Sequence, residues 1–155
     1  MLNLLERLIM RKLILFIILS MILFSIDSCS QSYNSLTNFN FRIDLYSGGG
    51  FTGVENGITI SSEGWAKYWK SNLNSLRQMT DSISIPSGNM KEIIKLMKKP
   101  EIYSYQNRYS GNYTTYLVLL HDIQFNQISF NGSDLPSNMP NAIKDLIAKI
   151  NSIRK

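Results

Sequence analysis

The stretch Leu13–Phe24 is apolar at every position except Ser20, follows Arg11-Lys12, and opens through the small and polar Ser25–Ser28 onto Cys29. A core of about 12 apolar residues behind a short positive segment has the layout of an export signal, and it is shorter than the roughly 20 residues that cross a bilayer as a permanent helix. The fold is therefore to be sought after Cys29. An uncleaved anchor would require Met1–Ile9 to join the apolar run, and Glu6, Arg7, Arg11 and Lys12 interrupt such a span at a high cost in hydrocarbon. The expectation is a signal peptide over residues 1–28, with Met10 as its true start and the first nine residues as an upstream extension.

Ile26-Asp27-Ser28-Cys29 resembles the lipobox of bacterial lipoproteins, with an aliphatic residue three before an obligatory cysteine and a small one directly before it. Asp27 departs from the small or aliphatic residue usual at its place. The resemblance implies diacylglycerol on the Cys29 sulfur, cleavage before Cys29 by the lipoprotein signal peptidase, and acylation of the new amino terminus, with palmitate among the usual chains. Each buried methylene contributes about 0.8 kcal/mol, so two or three chains anchor durably where one does not. The other reading is ordinary cleavage near Ser28 with a free thiol left over. An exported chain with one cysteine has no internal disulfide to form, which favours the lipid. Ser30 follows the cysteine, and no aspartate stands there; in the lipoprotein-sorting pathway this implies the outer membrane, and the lack of an acidic run just beyond favours its periplasmic face over the cell surface.

Cleavage before Cys29 leaves 127 of the 155 residues, enough for one domain. Removing Arg7, Arg11 and Lys12 from the 16 bases and Glu6 and Asp27 from the 11 acids leaves 13 against 9. The excess is mild and scattered. Lys91, Lys95, Lys98 and Lys99 on one expected helix and Lys144, Lys149, Arg154 and Lys155 on another read as solvated faces, or as weak attraction to anionic lipid headgroups. Nucleic acid is not an expected partner, because no recognisable binding motif accompanies the charge.

Residues 29–38 are expected to be a polar, lipid-attached tether and residues 39–155 the domain. Phe39, Phe41, Ile43 and Leu45 alternate with polar neighbours and predict a strand with one buried face. It runs into Gly48, Gly49, Gly50, Phe51, Thr52 and Gly53, a tight or mobile loop. A phosphate cradle would need a helix next, whereas Ile58–Ser61 predicts another strand, so the loop reads as a hairpin connection. Its residues Gly48, Gly49, Gly50, Phe51 and Gly53 are the candidate partner-contact loop. Trp65, Lys67 and Trp69 alternate on a third strand, with the tryptophans on one face as core, sheet cover or sugar platform. Met79, Ile83 and Ile85 hint at an edge strand before Pro86. Asp81-Ser82-Ile83 resembles the short O-glycosylation site of some Bacteroidota.

Met90, Ile93, Ile94 and Met97 predict a helix over Ser87–Lys99 that Pro100 stops. A tyrosine-rich crossover, Glu101–Tyr109, leads to a hairpin of Tyr113–Leu120 and Ile123–Phe130 turning about His121-Asp122. After Pro140, Ile143, Leu146, Ile147, Ile150 and Ile153 predict a last helix. Asn112-Tyr113-Thr114 and Asn131-Gly132-Ser133 match the N-glycosylation tripeptide but carry the turn residues that a hairpin needs anyway.

The chemistry in the chain is sparse. His121 is the single histidine, lies beside Asp122, and has no nucleophile motif with it; one histidine and scattered acids do not supply a zinc-ligand spacing. No catalytic residue, metal or cofactor is expected. The order of elements, with Gly48–Gly53 early in the mature chain, is similar to small Bacteroidota-type lipoproteins carrying a Gly-Gly-Gly-Phe-x-Gly segment. Gly49–Gly53 and the closing proline and helix also resemble the emfourin-type inhibitors of thermolysin-like metalloproteases, which implies a cystatin-like sheet and a loop that blocks a protease cleft; no inhibitory residue carries over. The expected fold is a single α+β domain, an antiparallel twisted sheet of about five to six strands covered on one face by two helices. The expected function is a non-enzymatic binding or structural domain anchored to the lipid bilayer, with an envelope protein or a protease as partner. Protease inhibition is the sharper alternative and a small enzyme of unrecognised type the second.

Overall fold

The computed structural model describes residues 39–49, 53–72 and 75–153. Cys29, Gly50 and Phe51 lie outside the described residues. Strands β1 (Phe41–Gly48), β2 (Val54–Ser61), β3 (Trp65–Asn72) and β4 (Gln78–Ser84) form a meander. Helix α1 (Ser87–Met97), a short helix α2 (Glu101–Ser104), strands β5 (Thr114–His121) and β6 (Gln124–Asn131) and helix α3 (Asn141–Ile153) complete the domain. The strands make one antiparallel sheet in the order β4-β3-β2-β1-β5-β6, so β1 sits inside and pairs with both β2 and β5. This is the single α+β domain expected, with α2 as an additional turn of helix in the tyrosine-rich crossover.

Period-2 alternation builds one dry face. Ile43 stands opposite Ile60 and Leu119, and Leu45 opposite Ile58 and Leu117, all of them buried. The helices bring Met90, Ile93, Ile94 and Met97 from α1, and Ile143, Leu146, Ile147, Ile150 and Ile153 from α3, down onto this face. Each such side chain removed from water contributes roughly 1.5–3 kcal/mol, before the entropy of ordering it is counted. Tyr68 on β3 donates its hydroxyl to the Ile153 carbonyl at 3.1 Å, and Lys149 of α3 pairs with Glu92 of α1.

Local boundaries moved by one or two residues for visible reasons. Helix α1 ends at Met97, where the Lys98 amide still bonds to Ile94 O, and Pro100 then caps α2 rather than only stopping α1. The second hairpin turns at Asp122-Ile123, one residue later than expected, because Asp122 takes the left-handed conformation (φ 49°) that the tight turn needs. Phe39 does not extend β1; it leaves the sheet and stacks on His121 at 3.8 Å.

The two sheet edges differ. Along β6, Ser129 N–H donates to Asn107 O at 2.9 Å, and the Asn107 amide returns a bond to Ser129 O at 2.6 Å, so the crossover segment covers that edge. Strand β4 is exposed along nearly its whole length. It is blunted by a bulge at Tyr68/Trp69 and by Asp81, whose carboxylate accepts from the Ser82 amide at 2.7 Å. Asp81-Ser82-Ile83 therefore lies on an exposed edge strand.

Candidate functional site

The glycine loop joins β1 to β2 as a hairpin connection, and its described residues show why glycine is required there. Gly49 has φ 126° and Gly53 φ 55°, both in the region that side chains rarely adopt. A Cβ on Gly49 would also collide with the Asn112 carbonyl oxygen. The root of the loop is thereby held against the segment that leads into β5.

Beside it, between this end of the sheet and α3, lies a hollow of about 480 Å³. Leu45, Phe130 and Ile147 form its apolar wall, while Tyr113 and Leu135 stand on it partly exposed. Two of its hydroxyls are already committed. Ser47 donates to Thr115 Oγ1 at 2.6 Å, and Thr115 donates in turn to the Gly132 carbonyl at 2.6 Å. Lys144 at the rim donates to Ser137 O at 3.2 Å. The hollow suits an apolar side chain or the apolar part of a small ligand, held by shape with a few polar groups at its mouth.

His121 lies at the opposite end of the sheet. Its Nε2 is 3.1 Å from Asp122 Oδ2, and its ring stacks on Phe39 and lies 6.2 Å from the tilted ring of Tyr103. Burial, and secondarily the negative charge of Asp122, pushes the Tyr103 phenol up to about 12, and its buried hydroxyl has no hydrogen-bond partner. The fold does not bring His121 and the glycine loop together. Among the described residues, no group of three or more His, Cys, Asp or Glu side chains gathers as a metal site would need, and no helix is long and apolar enough to cross a membrane.

A second constellation, not foreseen from the sequence, occupies the sheet face without helices. Asp44 of β1 is only 5% exposed. It accepts from Arg42 Nε at 3.2 Å and from a second Arg42 nitrogen at 2.9 Å, from Thr59 Oγ1 at 2.6 Å, and from Arg77 at 3.3 Å. Trp69 donates its indole N–H to Thr59 at 3.0 Å and lies over Gly57, where a Cβ would come within 2.6 Å of the indole ring. The Arg77 guanidinium sits 3.9 Å above the Trp69 ring and 5.5 Å from that of Tyr46, which itself stacks on Tyr116. Of the expected tryptophan pair, Trp69 is thus sheet cover at 4% exposure and Trp65 stands out at 44%. The alternation of Arg42, Asp44 and Tyr46 with Ile43 and Leu45 carried the signal for this face, but not which residues meet on it. The chain matches no model of a known protein family and no curated protein.

Proposed function

We propose that this protein is a lipid-anchored lipoprotein of the cell envelope whose small domain is a non-enzymatic binding module, held through acylated Cys29 on the periplasmic face of the outer membrane. The observation that carries the reading is the polarity of β1. The chain enters the domain at Phe39, ten residues after Cys29, and the glycine loop leaves the far end of the same strand. Seven steps of strand separate Phe41 from Gly48 by about 23 Å. The loop and the neighbouring hollow thus lie at the end of β1 opposite the one at which the chain enters the domain.

The intact mass of protein purified from membranes tests the anchor. The expected mass is that of the chain from Cys29 plus lipid, with Cys29→Ser left unprocessed; an unlipidated chain in the soluble fraction, unchanged by the substitution, would overturn it. Inhibition of a thermolysin-like protease is a second reading of the same end. It is favoured by the root of the loop, where Gly49 lies against the Asn112 carbonyl. Stoichiometric protection of casein, lost on Phe51→Ala, is its expected result, and casein cleaved at the uninhibited rate rejects it.

A further inference from the structure

The Asp44 cluster has a charge imbalance that folding alone does not require. Two guanidiniums converge on one carboxylate, and three bonds, two from Arg42 and one from Arg77, use only a minority of their N–H donors. Arg42 and Arg77 remain 49% and 39% exposed, whereas Asp44 is covered. The adjoining hollow of about 360 Å³ is lined by these arginines, by Lys67 and by Ser61, with Glu63 as the acid on its wall.

We propose that this face is a docking surface for a protein partner that seats an acidic side chain between Arg42, Arg77 and Lys67. Complementary charge selects the ligand: a carboxylate matches the guanidinium fork in shape and sign. Preorganisation supplies strength. Arg77 is stacked on Trp69 and tied to Asp44, so little freedom is left to lose on binding. The surroundings point to a polypeptide rather than a free anion, because Met79 (61% exposed) lines the hollow and Trp65 stands out from the same face. Arginine, tryptophan and methionine are the side chains that protein interfaces enrich. This surface lies on the opposite side of the sheet from the α3 hollow and does not depend on the lipid anchor.

The test titrates full-length protein in non-ionic detergent with hexaglutamate, following the Trp69 indole N–H resonance by NMR. A saturable shift is expected, weakened about tenfold or more by Arg42→Gln and by Lys67→Glu. Lys67 makes no bond to Asp44, so the second variant removes the attraction without opening the cluster. Lys91→Gln, on exposed α1 surface, should leave the titration unchanged. Absence of a shift, equal weakening by Lys91→Gln, or tighter binding of inorganic phosphate than of hexaglutamate would each overturn the proposal.

Discussion

Ile43 and Asp44 are neighbours on β1, and both are buried, at 1% and 5% exposure, but the layers that bury them are of different kinds. Over Ile43 lie two helices contributing apolar side chains, a non-directional cover in which area is what counts. Over Asp44 lie the long side chains of Arg42, Arg77 and Trp69, each placed by a bond with a defined geometry. A sheet can therefore close its second face without a second layer of backbone. The cost is that this closure depends on every member of the network being satisfied.

Four substitutions probe that contrast. Leu119→Ala, at a site with 0% exposure on the helix side, should cost about 3 kcal/mol in urea unfolding, and a loss below about 1 kcal/mol would mean that the helices do not seal that face. Asp44→Ala should cost about 2 kcal/mol, less than the roughly 3–5 of a wholly buried pair because both arginines can rehydrate. Asp44→Asn, which keeps an acceptor for Thr59, should lose less than the alanine variant. Gly57→Ala should cost about 1–2 kcal/mol by displacing Trp69, with a red shift of tryptophan emission as the second readout.

Tyr103→Phe has the smallest expected effect, within about 1 kcal/mol at neutral pH, since it removes a buried hydroxyl that has no partner. Its signature is in alkali. The folded phenol titrates at about 12 against an ordinary 10.0, so its contribution is present below about pH 10 and is lost as the pH rises toward 12. The phenylalanine variant should show a shallower loss of stability across that window, and an unchanged slope would place the alkaline transition elsewhere.

Most of the architecture could be read from local pattern. Phe41, Ile43 and Leu45 announce the buried face of β1, and the spacing of Met90, Ile93, Ile94 and Met97 announces α1, because burial against a single layer imposes a fixed period. Helix α2 escaped because four residues carry no period, and its boundary residue, Pro100, is equally a stop and a start. Asp44 was legible as polar but not as buried. Its cover comes from Thr59, Trp69 and Arg77, residues brought to it by strand register and by a loop after β3, and no window along the chain contains them together. The glycine loop showed the reverse: composition alone located it, and Gly49 against Asn112 gives the steric reason.

The placement of β1 also bears on how the domain assembles. Its pairing with β2 joins residues separated by one turn, but its pairing with β5 joins Gly48 to Thr114 and Phe41 to His121, across roughly 65–80 residues. As the chain emerges N-terminus first, the β1–β4 meander can pair while β1, still its edge strand, has bare amides and carbonyls on one side. Those groups wait for the arrival of the β5–β6 hairpin. Closing that long circuit is the expected slow step of folding, and the interval before it is when this chain has most to gain from a chaperone.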